Sequence, residues 1–142
     1  MPMLSQLLDT KGHDIHAVTP ETVVIDAIRV MAEEHVGALL VMQRGELVGI
    51  VSERDYARKV VLKGRSSGST QVAEIMSFPV ITARPDNTVQ DAMRLMTEQR
   101  IRHLPVLSAG SVVGVVSIGD LVKSLLEEQQ HTIEDLRQYI HG

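Results

Sequence analysis

Apolar and polar positions along the chain follow two patterns that alternate. Val24, Ala27, Ile28 and Met31 fall at i, i+3, i+4 and i+7, and so do Val89, Ala92, Met93 and Met96. That spacing gathers them on one face and predicts two amphipathic helices. Thr22 is placed to cap the first, and Asn87, or Asp86 before it, to cap the second. Short apolar runs at Ala38–Met42, Leu47–Val51, Leu104–Leu107 and Val112–Val116 are bounded by polar residues and predict buried strands. Arg44-Gly45 and Ala109-Gly110 separate them in pairs, which predicts two hairpins. Further strand candidates, Ile15–Val18 and Val80–Ala83, precede Pro20 and Pro85. Ser52 and Ser117 end the hairpins and open a second helix in each half.

The two halves repeat one another. Shifted by 65 positions, residues 15–60 fall on 80–125 without a gap, and 15 of the 46 pairs are identical. Pro20/Pro85, Asp26/Asp91, Met31/Met96, Gly49/Gly114, Ser52/Ser117 and Asp55/Asp120 are among them. A gapless match of this length predicts a duplicated β-α-β-β-α unit. One unit of about 50 residues is a marginal folder alone, so the two are expected to share a core. The expected division is a first repeat at 1–62, a polar Gly/Ser-rich linker at 63–71, a second repeat at 72–128 and a helical tail at 129–142. The fold class is α+β, built from α/β-type units.

Composition narrows the function. The 142 residues carry 14 Lys+Arg against 18 Asp+Glu, a formal charge of −4, with no Cys. Disulfides, thiolate catalysis and Cys-based metal sites are excluded. The aromatic residues are Tyr56, Phe78 and Tyr139 alone, which argues against a base-stacking platform for single-stranded nucleic acid. The acidic balance argues against duplex DNA. His13 and His16 lack further ligands at sensible spacing, so no metal site is expected. The N-terminus MPMLSQLLDTKGHD has no basic region before an apolar run, and no segment has the ~20 apolar residues of a membrane span. The expectation is a cytoplasmic protein without membrane contact.

Each hairpin ends on the pattern G-h-h-S-x-x-D: Gly49-Ile-Val-Ser52-Glu-Arg-Asp55 and Gly114-Val-Val-Ser117-Ile-Gly-Asp120. Two readings are open. A strand running into a helix N-terminus offers free N–H groups and a hydroxyl to a phosphate, with a carboxylate three residues on for ribose hydroxyls. Alternatively, Ser caps the helix and Asp complements its dipole. A Ser nucleophile would need a base, for which only His103 is at hand, and no G-x-S-x-G elbow exists. No enzymatic activity is expected.

The element order, the tandem pair and this motif resemble CBS domains paired as a Bateman module, over about residues 5–128. Arg100–Val106 (RIRHLPV) and Val51–Arg58 (VSERDYAR) are similar to the family's wording. The resemblance implies two units packed by their sheets with pseudo-two-fold symmetry. It also implies clefts for adenosine ligands: AMP, ADP, ATP, NAD(H) or S-adenosylmethionine, with no catalytic cofactor. It assigns ribose to Asp55 and Asp120. Phosphate goes to Ser52 and Ser117, with Arg54, Arg100, Arg102 and His103. Adenine is walled by the strand-entry segments holding Lys11, Gly12, His16, Val18, Met76, Pro79, Ile81 and Thr82. The second repeat carries Arg100, Arg102 and His103 where the first has His35, Gly37 and Ala38. The two clefts are therefore expected to differ, with that of Asp55 favouring ligands richer in phosphate.

Beyond the repeats, Val122, Leu126, Gln129, Ile133, Leu136 and Ile140 step by 4-3-4-3-4, a heptad seam. The helix either packs back on its own module or seams a homodimer, and the resemblance to Bateman modules, which commonly pair, implies the homodimer. Thr132 with Asp135 is an alternative start for a separate short helix. The expected function is a regulatory adenine-nucleotide sensor acting through an unidentified protein. The alternative is a dimerisation scaffold that binds no ligand.

Overall fold

The computed structural model describes residues 2–141. The chain forms two compact units, Ile15–Ile81 and a second one joining Met1–Asp14 to Thr82–Gly142. Residues 2–14 thus cluster with 82–141.

In the unit Ile15–Ile81, β1 (Ala17–Val18) pairs in parallel with β2 (Ala38–Gln43), which pairs antiparallel with β3 (Glu46–Ser52). Helix α1 (Leu4–Lys11) lies in the other unit, and α2 (Val24–Glu34) packs here through Val24, Ala27 and Met31. These join Leu39, Val41, Val51, Val60, Val72 and Ile75 in one apolar cluster. Each Val, Leu, Ile or Met side chain among them taken fully out of water contributes about 1.5–3 kcal/mol. After β3, the short α3 (Glu53–Tyr56) runs directly into a π-helical turn, Ala57–Val61.

The linker region is not a free tether. The Val24 and Ile25 N–H groups donate to the Thr70 and Ser67 carbonyls, and Thr70 is buried. Residues 67–70 therefore satisfy the otherwise orphaned first turn of α2. This explains why α2 starts after Val23 with no side-chain cap. Thr22, expected as the cap, instead accepts from the Thr19 N–H.

The other unit repeats the hairpin. β4 (His103–Ser108) and β5 (Ser111–Ser117) pair in the register of β2 and β3, with the irregularity at the same place, Val106/Leu107 against Val41/Met42. Both turns have positive φ at their two central residues, Arg44-Gly45 and Ala109-Gly110, as tight hairpins demand. The expected strand Val80–Ala83 reduces to one bridge, Ala83 to Val106, and Ile15–Val18 shortens to β1. Helix α4 (Val89–Gln99) is capped by Thr88, in a reciprocal box with Asp91. Asn87 is unavailable for that role because its side chain accepts from the Arg84 N–H.

Two helical features depart from the sequence reading. Leu4, Leu7 and Leu8 form the buried face of α1, a helix not expected there. Helix α5 (Ile118–His141) is continuous for 24 residues. Thr132 does not start a new helix, because its hydroxyl donates to the Glu128 carbonyl one turn back. No helix among the described residues is long and apolar enough to cross a membrane.

Candidate functional site

The two G-h-h-S-x-x-D segments take the same local structure. Ser52 is extended and caps α3: its Oγ accepts from the Asp55 N–H at 3.2 Å, while Asp55 Oδ2 accepts from the Ser52 N–H at 2.9 Å. Ser117 and Asp120 repeat this at 3.2 Å and 2.8 Å. This reciprocal capping is how a strand turns into a helix without leaving donors unpaired. The first helical N–H is also taken: Glu53 donates to the Gly37 carbonyl and Ile118 to the Arg102 carbonyl. Two of the first three N–H groups at each helix start are thus used within the protein. The expectation of a row of free donors for phosphate is corrected accordingly.

What distinguishes these turns from ordinary caps is a lysine at each carboxylate. Lys11 Nζ donates to Asp120 Oδ2 at 2.6 Å and to the Val115 carbonyl at 2.8 Å. In the other unit Lys59 Nζ lies 3.3 Å from Asp55 Oδ1 and donates to the Ile75 carbonyl at 2.9 Å. Each ammonium is therefore pinned between a carboxylate and a backbone carbonyl. The routes differ. Lys59 sits one turn along from Asp55, whereas Lys11 comes from the end of α1. Asp55 uses both oxygens, while the bonds from Lys11 and from the Ser117 N–H converge on Asp120 Oδ2. Burial pushes the Asp120 carboxyl up, but the Lys11 ammonium and the Ser117 N–H outweigh it and hold it below the ordinary aspartate value.

Close to Lys11, His13 bonds the Val113 carbonyl through Nδ1 at 2.7 Å and Asp9 through Nε2 at 3.2 Å. Those bonds, the one to Val113 foremost, raise its pKa above 6.5. Lys11 and His13 together satisfy alternate carbonyls of β5. In the other unit a backbone bridge between Ile50 and Ser77 does the corresponding work.

The remaining sequence candidates divide by unit. Ser117, Asp120, Lys11, Gly12, Arg100, Arg102, His103 and Thr82 lie in one, and Ser52, Asp55, Arg54, His16, Val18, Met76, Pro79 and Ile81 in the other. Arg54, Arg100 and Arg102 are exposed, and their guanidinium groups have no ion-pair partner among the described residues. Arg100 ends α4 in the left-handed conformation, as His35 ends α2. His16 faces Glu34 at 3.8 Å. Gly12 has φ 108, a conformation that favours glycine. Met76 packs over Gly49, and Val18 is paired to Val41 in the sheet. Lys59 was missed because an i+4 pair with Asp55 reads in sequence as an ordinary helix-surface charge pair.

Comparison with known proteins gives the same answer as the fold. The CBS domain family model matches twice, at residues 9–62 and 72–127. The chain is a member of the CBS domain family, a family of regulatory modules, and carries a tandem pair. It is 40% identical over 148 residues to the CBS domain-containing protein CBSX3, mitochondrial, of Arabidopsis thaliana, covering 98% of this chain and 72% of that protein. It matches the structure of a putative signal-transduction protein with CBS domains from Burkholderia ambifaria MC40-6 with TM-score 0.86 and 49% identity. That match covers 89% of this chain and 96% of the other. The CBS domain pair of protein MJ0100, solved in complex with 5′-methylthioadenosine and S-adenosyl-L-methionine, shares the fold. It matches at TM-score 0.80 and 22% identity, over 90% and 98% of the two chains.

Proposed function

We propose that this chain is a stand-alone regulatory module that binds adenosine ligands through its two Ser–Asp turns and passes the binding on to a partner protein. It is not an enzyme in this reading. One observation carries the proposal: each turn bears a half-buried carboxylate, at Asp55 and at Asp120, with an anchored ammonium beside it. A cap needs the Ser–Asp box and has no need of the ammonium. A carboxylate accepts ribose hydroxyls, and the ammonium and the exposed Arg54, Arg100 and Arg102 answer phosphate charge. The ligands bound by the MJ0100 pair support the adenosine class. AMP, ADP, ATP, NAD(H) and S-adenosylmethionine are the candidates. Regulation then follows if ligand binds one arrangement of the chain more tightly than another.

A thermal-shift screen with AMP, ATP, NADH and S-adenosylmethionine tests this reading. A rise in melting temperature with at least one of them is expected, because binding to the folded state alone stabilises it. No shift at millimolar concentration of any would favour the second reading, a scaffold that only dimerises. The observation favouring that second reading is α5, where Leu126, Leu136 and Ile140 are 60%, 56% and 72% exposed. In either reading we propose a homodimer seamed along this helix.

A further inference from the structure

We propose that Lys11 makes the Asp120 turn selective for adenosine ligands carrying a 5′-phosphate; this rests on the adenosine-binding reading above. An ammonium has three N–H donors. Two are spent here, on Asp120 Oδ2 and on the Val115 carbonyl. The third remains for a ligand, and the side chain is 36% exposed, so a ligand can reach it. Both donors in use are directed at fixed acceptors, which holds the charge beside Asp120 before any ligand arrives.

The electrostatics set the direction of selectivity. With Lys11 in place, a ribose bound at Asp120 meets a neutralised pair rather than a bare carboxylate. A phosphate next to that ribose gains a charge-assisted hydrogen bond. A neutral nucleoside gains none, and a cationic ligand such as S-adenosylmethionine meets a positive group. The repeat itself provides the control. The position matching Lys11 under the 65-residue shift is Met76, of similar length and without charge. In that unit the cation is supplied by Lys59 on the motif's own helix instead. Lys11 is therefore a feature of the Asp120 turn that duplication does not explain.

Titration calorimetry with AMP and with adenosine on the wild-type chain, Lys11→Met, Lys11→Gln and Lys11→Arg tests the assignment. We expect both uncharged variants to weaken AMP binding at one site by about tenfold more than they weaken adenosine binding. Lys11→Arg should retain the preference. Equal losses for AMP and adenosine, or no loss in either, would overturn the role of Lys11 while leaving adenosine binding standing. If the wild-type chain binds neither compound the selectivity falls, and if it binds none of ATP, NADH and S-adenosylmethionine either, the binding reading falls with it.

Discussion

A Cβ placed on Gly114 would stand 2.6 Å from Leu8 Cδ2. Leu8 lies in α1 and is 1% exposed, so the N-terminal helix seals strand β5 where that strand has no side chain. In the other repeat Met76 Sδ takes the corresponding place over Gly49, 2.5 Å from its Cβ position. Gly114→Ala should destabilise by about 1–3 kcal/mol, because branched, buried Leu8 has no room to retreat. Gly49→Ala should cost less, since Met76 is unbranched and half-buried. Urea unfolding midpoints of the two variants measure the difference. Equal effects would contradict the packing described.

The helix starts separate two threonines that look alike in sequence. Thr88→Ala should cost about 1 kcal/mol, because Thr88 closes the box with Asp91. Thr22→Ala should cost less, because Ser67 and Thr70 already serve the α2 start through their carbonyls. Thermal unfolding of the two single variants decides the order.

Much of this was readable from spacing. The helices α2 and α4, both hairpins and the paired Ser–Asp turns follow from local periodicity and the 65-residue repeat. Long-range choices were not. Nothing near Thr22 in sequence announces that residues 67–70 will cap its helix. Leu4, Leu7 and Leu8 carried a helical signal, but one turn of apolar residues is too short to stand out. Lys11 and Asp120 meet across 109 positions, so sequence could name both residues without placing one against the other. The Ser–Asp spacing itself fits a cap and a ligand site equally well. The added ammonium is the observation on which the ligand reading proposed above rests.

Acid should expose the Lys11–Asp120 pair. The folded-state pKa of Asp120 lies below the ordinary 3.8, so its contribution is full above that value. It is lost as pH falls through the lower, folded value. Lys11→Met should therefore lose less stability than wild type on acidification below about pH 4. His13 runs the other way: its pKa is raised above 6.5, so its contribution is full below 6.5 and fades as pH climbs through the folded value. Denaturation midpoints across pH 2–9 for wild type, Lys11→Met and His13→Ala check both signs.

The far half of α5 has no cover among the described residues, and every side chain from Gln129 to Ile140 is exposed. Isolated helices of about this length are marginal in water, so packing of the stripe against a second copy is expected to hold it. Ile133→Glu combined with Leu136→Glu should convert a dimer to a monomer in light scattering and lower helicity by circular dichroism. A wild-type chain that is monomeric at high concentration would contradict the seam.

The central claim is that the two Ser–Asp turns hold adenosine ligands. Titration calorimetry of AMP and ATP on wild type, Asp55→Ala and Asp120→Ala tests it most directly. Each substitution should abolish one site and leave the other, and the Asp55→Ala loss should be greater for ATP than for AMP. Unchanged binding in both variants, or no binding by the wild-type chain, would contradict the account.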